Sequence, residues 1–350
     1  MKQVTVCASK TYDIKIERGL IKNVGQLILD SKISPCRVAI LTDDNVDKLY
    51  SKTVEASLEN AGFSTIKYVI PHGEDSKSAN NFISFLNFLA SNKLTRSDIL
   101  VALGGGVVGD LCGFCASSYF RGVKFVQIPT TLLSMVDSSV GGKTAINLDA
   151  GKNLAGAFYQ PSLVIIDPDV LDTLTDDIFA DGCAEVIKYG IINDRVLFDK
   201  LNLGIKENIE DVIENCVKNK RDIVNVDERD TGVRQLLNLG HTMAHGVEHL
   251  SDFSISHGSA VAIGTAAIAK VSVSLGLMSE GEKDEIIAML KKYSLPTECP
   301  YSASELADVA LSDKKREGGY INLVMPYSIG DSRLMRVSAM ELEKIFALGV

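Results

Sequence analysis

The sequence predicts an α/β protein: a first half built on a parallel sheet, and a second half that is mostly helical. Two observations carry this. Up to about residue 170, Val/Ile-rich runs at 37–41, 65–70, 99–103 and 124–128 are each followed by a polar or glycine-containing turn and a helix-like segment, the alternation of a parallel sheet covered by helices. Beyond a further apolar run at 163–166, residues 176–293 show mostly a 3.6-residue period, and a late alternating run at 320–325 suits a short strand. With 350 residues, the chain has room for two domains of roughly 150 residues or more, each with its own core.

Composition narrows the function. Forty-five acidic against 36 basic residues, a formal net charge of −9, argue against binding nucleic acid or an anionic membrane, although a small acidic ligand stays open. Seven cysteines in no disulfide-like framework, with no charged and then apolar leader, predict a reducing, cytoplasmic setting. The apolar stretch 258–269 is shorter than the ~18 residues a membrane span needs and reads as a buried helix of small residues.

In the first half, Gly104-Gly105-Gly106-Val107-Val108-Gly109-Asp110 follows the strand 99–103. Glycines at a strand-to-helix turn let the backbone approach a pyrophosphate, whose oxygens meet the free N–H groups of the helix start. A tight turn that binds nothing is the competing reading, because the spacing is not G-x-G-x-x-G. Thr42-Asp43-Asp44-Asn45 and Gly73-Glu74-Asp75-Ser76-Lys77 also end strands. Taken alone these acids read as helix caps or turns; it is their joint placement with the glycine run that suits them to ribose hydroxyls. Lys143 and Lys152-Asn153 follow glycine turns as phosphate-binding lysines do, yet the preceding glycine of a P-loop is missing, which excludes a nucleoside triphosphatase on that basis. Asp137 is an isolated acid in an uncharged segment, and Cys112-x-x-Cys115 reads as two small buried thiols.

The second half holds the more specific chemistry. Four of five histidines, His241, His245, His249 and His257, fall close together, and Arg234-x3-Asn238-x2-His241-x3-His245 has the spacing of one helical stripe. His241 and His245 suit a metal pair, or a structural pair on a helix; the Glu of H-E-x-x-H is absent, which argues against a metalloprotease. His257, opening the apolar helix, is a poor cap and a further ligand candidate. Glu185, in an apolar helical context, is either a third ligand or the partner of Lys188.

These motifs, with Phe120-Arg121-Gly122, Pro129-Thr130-Thr131-Leu132-Leu133, Asp137-Ser138-Ser139-Val140-Gly141-Gly142-Lys143-Thr144, Ala184-Glu185-Val186-Ile187-Lys188, Leu237-Asn238-x-Gly240-His241-Thr242-x2-His245 and His257-Gly258, closely resemble the 3-dehydroquinate synthase family. The likeness runs from the Asp43 loop to Asp313-Lys314-Lys315. It implies an N-terminal Rossmann-like NAD-binding α/β domain, 1–174, a C-terminal, mostly helical metal- and substrate-binding domain, 175–350, an active site between them, and a homodimer.

By resemblance, 3-deoxy-D-arabino-heptulosonate 7-phosphate becomes 3-dehydroquinate and phosphate, a step of the shikimate pathway toward aromatic amino acids. NAD oxidises C5, phosphate leaves, the same NADH restores C5, and an internal aldol step closes the ring. The implied metal ligands, for Zn²⁺ or Co²⁺, are Glu185, His241 and His257, with His245 as proton carrier. Implied NAD contacts are Asp43, Asn45, Glu74, Lys77, Gly105, Gly106, Asp110, Thr130, Thr131 and Thr173, joined by Lys143 and Lys152. Arg234, Lys143, Lys188, Lys220, Asn238 and Asp137 match positions that hold the carboxylate and ring hydroxyls; Lys152, Asn153 and Lys314 or Lys315 match the phosphate end. Arg121 is expected to reach across a dimer interface. Other sugar phosphate cyclases, or a metal-dependent polyol dehydrogenase, are the alternatives, and Lys220, Arg234 and Asn238 match the dehydroquinate type.

Overall fold

The computed structural model describes residues 1–314 and 319–350. The chain divides into two compact units, Met1–Leu174 with Lys220–Glu228, and Thr175–Asn219 with Arg229–Val350. The expected boundary at 174 made no provision for Lys220–Glu228. That segment continues an amphipathic helix, Ile209–Val226, so no change of pattern marks it.

The first unit is a seven-stranded sheet. Its strands are β1 (Lys2–Cys7), β2 (Thr11–Ile16), β3 (Arg37–Asp43), β4 (Ser64–Ile70), β5 (Ile99–Gly104), β6 (Lys124–Pro129) and, after a hairpin of β7 (Lys143–Leu148) and β8 (Gly151–Phe158), β9 (Leu163–Ile166). The order is β1-β2-β9-β6-β5-β3-β4. β1 and β2 pair antiparallel, and every other pairing in the sheet is parallel. The runs expected as strands are strands; β3, β5, β6 and β9 are buried almost throughout and need continuous apolar sequence, whereas β4, at the sheet edge, is largely half-buried. Both hairpins went unpredicted: β1–β2 has a polar alternation, and β8 is rich in glycine and alanine.

Against β5 and β6 pack Phe85 and Leu89 of helix Ala79–Ser91 and Leu111, Cys112 and Cys115 of helix Gly106–Ser118. Both thiols are fully buried, as the sequence suggested, and burial drives their pKa well above that of a free cysteine. The β1–β2 turn holds the returning segment. Cys7 N–H donates to Asn225 Oδ1 at 2.8 Å, and Ser9 donates its N–H (2.8 Å) and hydroxyl (2.6 Å) to the Glu228 carboxylate.

The second unit is helical, with a hairpin of β10 (Tyr320–Ser328) and β11 (Asp331–Ser338). At its centre, helix His257–Ser274 is almost wholly buried and packs against helices His241–Leu250 and Asp176–Asn193. Small residues permit this. A Cβ on Gly258 would stand 2.4 Å from the Asp181 backbone, and one on Gly264 2.2 Å from Gly240 O.

The expected single stripe from Arg234 to His245 is corrected. Val233–Asn238 is a short 3₁₀ turn, Leu239 leaves helical geometry, and Gly240 at φ 76° caps the new helix beginning at His241. The four-residue spacing holds within His241–His245 only. Among the described residues, no helix is long and apolar enough to cross a membrane.

Candidate active site

In the first unit, the glycine run lies at the carboxyl end of β5, where parallel sheets bind ligands. Helix Gly106–Ser118 starts there with Gly105 as its N-cap and no side-chain cap bond, so its first N–H groups are left for an anion. Space is tight: a Cβ on Gly105 would meet Thr131 Cγ2 at 3.2 Å, and one on Gly106 would meet Ser138 Oγ at 3.1 Å. Thr42 Oγ1 and Thr130 Oγ1, at the ends of β3 and β6, are buried and meet no hydrogen-bond partner among the described residues. Buried hydroxyls normally find one, so glycine cradle, helix start and hydroxyls together fit a bound dinucleotide.

The neighbouring candidates are tied to one another. Asp43 Oδ1 accepts from the N–H groups of Asn45 and Val46, both at 2.9 Å, so its capping role is real and occupies one carboxylate oxygen. His72 bonds Asp44 Oδ1 through Nδ1 at 2.8 Å. Lys77 donates to Asp110 and to Asn153. Burial raises the Asp110 pKa, against the lowering pull of Lys77. Thr173 Oγ1 lies 2.6 Å from Tyr50 Oη.

Lys143 opens β7 after Gly141 and Gly142, at φ 91° and 68°; Tyr12 Oη accepts the Gly141 N–H at 3.2 Å. Asp137 has a cation: Lys220 Nζ is 2.6 Å from Asp137 Oδ1 and donates to Asp137 O at 2.7 Å. Arg121 is exposed at the far end of helix Gly106–Ser118 from Gly105 and Gly106, roughly 20 Å away at 1.5 Å per residue. The structure therefore does not bring Arg121 to the glycine run of its own chain. Lys315 and the Lys314 side chain lie outside the described residues.

In the second unit, Glu185, His241 and His257 converge, each offering a donor atom within 4.8 Å of the others. His241 Nε2 is 3.5 Å and His257 Nε2 3.4 Å from Glu185 Oε1. Two ligands on a tetrahedral cation with bonds of about 2.1 Å stand roughly 3.4 Å apart. His241 Nδ1–H donates to Leu239 O at 3.0 Å, so Nε2 presents a lone pair to a carboxylate oxygen, an arrangement that a shared cation makes favourable. Burial, then the Lys188 charge, lowers the His241 pKa to about 3. Burial opposes charge on His257 too, but Glu185 and Glu248 outweigh it and raise its pKa to about 10. The nitrogen–oxygen donor set suits Zn²⁺ or Co²⁺.

Glu185 also serves Lys188, through its other oxygen, Oε2, one turn along the helix. Ligand and ion-pair readings of Glu185 are thus compatible. Arg234 is 1% exposed, and Asn238 is exposed on the same 3₁₀ turn. His245 is exposed, its ring 5.9 Å from that of His241, and His249 is exposed with no role assigned.

Two residues escaped sequence reasoning. Glu248, 5% exposed, faces His257 Nδ1; its signal was an acid one turn after Ala244 on a buried face. Asn147 links Glu74 and Asn153; its signal was a carboxamide interrupting Ala145-Ile146 and Leu148.

Family models match most of the chain: one described as 3-dehydroquinate synthase N-terminal covers residues 67–181, and one described as 3-dehydroquinate synthase C-terminal covers 182–316. A 3-dehydroquinate synthase of Clostridium botulinum is 45% identical over 342 residues, 95% of this chain and 97% of the relative. One of Streptococcus suis is 42% identical over 350 residues, 98% of each. Among solved structures, ValA, a 2-epi-5-epi-valiolone synthase of Streptomyces hygroscopicus with NAD⁺ and Zn²⁺ bound, superposes with a TM-score of 0.87 at 28% identity, covering 98% of this chain and 97% of that one. A 2-deoxy-scyllo-inosose synthase complexed with carbaglucose-6-phosphate, NAD⁺ and Co²⁺ shares the fold, with a TM-score of 0.88 at 20% identity and full coverage of both chains.

Proposed function

The chain belongs to the 3-dehydroquinate synthase family, and we propose that the residues gathered in its two units carry that family's reaction on 3-deoxy-D-arabino-heptulosonate 7-phosphate. The enzyme depends on NAD and a divalent metal. The observation that carries the assignment is the convergence of Glu185, His241 and His257 on one point.

Glu185, His241 and His257 would hold Zn²⁺ or Co²⁺; Asp43, Asn45, Glu74, Lys77, Gly105, Gly106, Asp110, Thr130, Thr131 and Thr173 would hold NAD. Bound there, the cation supplies Lewis-acid polarisation and NAD a hydride acceptor that ends each cycle unchanged.

The remaining work falls to side chains. Lys188, buried beside Glu185, offsets the carboxylate charge and offers a donor to a ring hydroxyl. Arg234 and Asn238 suit the substrate carboxylate; the guanidinium is buried in place, so little side-chain entropy is lost on binding. Lys143, Lys152 and Asn153 suit the phosphate end. Lys220, oriented by Asp137, adds a fixed positive charge, and exposed His245 carries a proton to or from the substrate.

A homodimer is part of the proposal. Arg121 lies a helix length from the glycine run of its own chain, which supports its delivery to a second copy. A cytoplasmic location is supported by seven cysteines that are all free thiols. A related sugar phosphate cyclase or a polyol dehydrogenase is not favoured by the curated relatives.

Purified protein with NAD and Zn²⁺ or Co²⁺ is expected to convert the heptulosonate phosphate to dehydroquinate, releasing phosphate with no net NADH. Steady NADH accumulation, or turnover of sedoheptulose 7-phosphate instead, overturns the reading.

A further inference from the structure

Asn147 lies where the β7–β8 hairpin changes register, between Ile146 and Leu148. The irregularity takes its backbone out of the ladder. Its N–H donates to Lys77 O at 2.8 Å, and it bridges Ser78 as an isolated parallel pair. Such bulges re-aim a side chain. Here the carboxamide faces two candidates at once: Nδ2 donates to Glu74 Oε1 at 2.7 Å, and Oδ1 accepts the Asn153 N–H at 2.9 Å.

Asn153 is held at φ 58°, a left-handed conformation that costs free energy and persists only under constraint. Its side-chain oxygen accepts from Lys77 Nζ, which also pairs with Asp110 on the helix after the glycine run. Lys77 N–H in turn donates to Glu74 O at 2.9 Å, so Glu74, Asn147, Asn153 and Lys77 form a closed hydrogen-bonded ring, crossed by the bond from Asn147 N–H to Lys77 O. The two arms of Asn147 do different chemistry. A carboxylate on one side needs a donor and a backbone N–H on the other needs an acceptor, and one amide satisfies both in a single orientation.

We propose that Asn147 is a positioning residue that couples the NAD-contacting loop, through Glu74 and Lys77, to the phosphate-contacting turn of the hairpin, through Asn153. The proposal rests on the assignment of Glu74 to NAD and Asn153 to phosphate given above. In a closed ring, ordering either loop lowers the conformational cost of ordering the other, so NAD and the phosphorylated substrate bind with positive coupling.

The test uses full-length, metal-loaded enzyme, measuring the NAD Kd by calorimetry and the KM for the heptulosonate phosphate at saturating NAD. Asn147→Asp keeps the acceptor for Asn153 but sets a carboxylate against Glu74. It is expected to weaken NAD binding by about tenfold or more while KM moves less than about threefold. Asn147→Ala removes both arms, and both constants are expected to worsen about tenfold, with kcat at saturation changing far less. Thermal melting confirms that each variant is folded, and the near-isosteric Asp variant keeps the test alive if the Ala variant is not. Asn147→Ala with either constant unchanged overturns the coupling. Asn153→Ala serves as the control: a KM unchanged in that variant overturns the phosphate assignment itself, and the coupling with it.

Discussion

Glu248 Oε2 stands 3.4 Å from His257 Nδ1. A carboxylate only accepts, so Nδ1 carries a proton toward Glu248, and the proton on Nε2, facing Glu185, is the one a bound cation would displace. This is the arrangement by which a buried acid fixes the tautomer of a metal-binding imidazole and increases its basicity.

Glu248→Ala is expected to weaken Zn²⁺ binding about 10–100-fold, read by competition with a coloured chelator, and Glu248→Gln by less, since the amide oxygen still accepts. Unchanged affinity in both variants would show that the pair has no part in holding metal.

Gly240 presents His241 from a left-handed turn. A Cβ there would lie 2.6 Å from Thr265 Oγ1 and 2.7 Å from Thr265 N, and the backbone itself disfavours a side chain at φ 76°. Gly240→Ala is expected to lose roughly 1–3 kcal/mol of stability and to bind metal more weakly at temperatures where it remains folded. Chemical denaturation and metal titration on the same preparation check both.

Lys220 is 6% exposed and makes two contacts to Asp137. Lys220→Met keeps the aliphatic volume and removes the charge. The expected outcome is a KM raised by about 10–100-fold, the size of a lost charged hydrogen bond, with the NAD Kd within about threefold. An NAD Kd that moves as much as KM would point to a general collapse of the first unit.

Away from the site, Lys67 Nζ is 2.8 Å from Asp47 Oδ1 and 3.4 Å from Glu55 Oε1. The hydrogen bond to Lys67 lowers the Asp47 pKa, and the same bond raises that of Lys67. Asp47 therefore adds stability above its unfolded value near 4 that is lost as pH falls through its depressed folded value; Lys67 adds stability below about 10 that is lost as pH rises through its raised one. For a pair this near the surface the gain is under about 1 kcal/mol. Asp47→Asn is expected to lower Tm slightly at pH 7 and to narrow its gap to the parent at pH 3, measured by thermal scans across pH.

What the sequence disclosed followed physical rules that act locally. The strands 99–103 and 163–166 were legible because burial on both faces demands unbroken apolar runs. The helix at His257 was legible because small residues continue through it without charge. The Arg234–His245 stripe misled, since helical spacing survives in the letters although Gly240 turns the chain out of the helix. Asn147 and Glu248 were illegible as partners for another reason: each acts on residues brought close only by folding, Glu74 lying 73 positions from Asn147. Likewise, Glu185 looked like a choice between ligand and ion pair until its two oxygens were seen to face different neighbours.

The return of Lys220–Glu228 to the first unit constrains how this protein can be made. Asp137 leaves the ribosome 83 residues ahead of its lysine, so at about 5–20 residues per second the nascent first unit stays incomplete for several seconds. Ser9 waits longer still for Glu228, 219 positions downstream. A gene cut after codon 174 encodes a fragment without its last piece of framework, and recombination that swaps linear halves between relatives must carry this short insert across the cut.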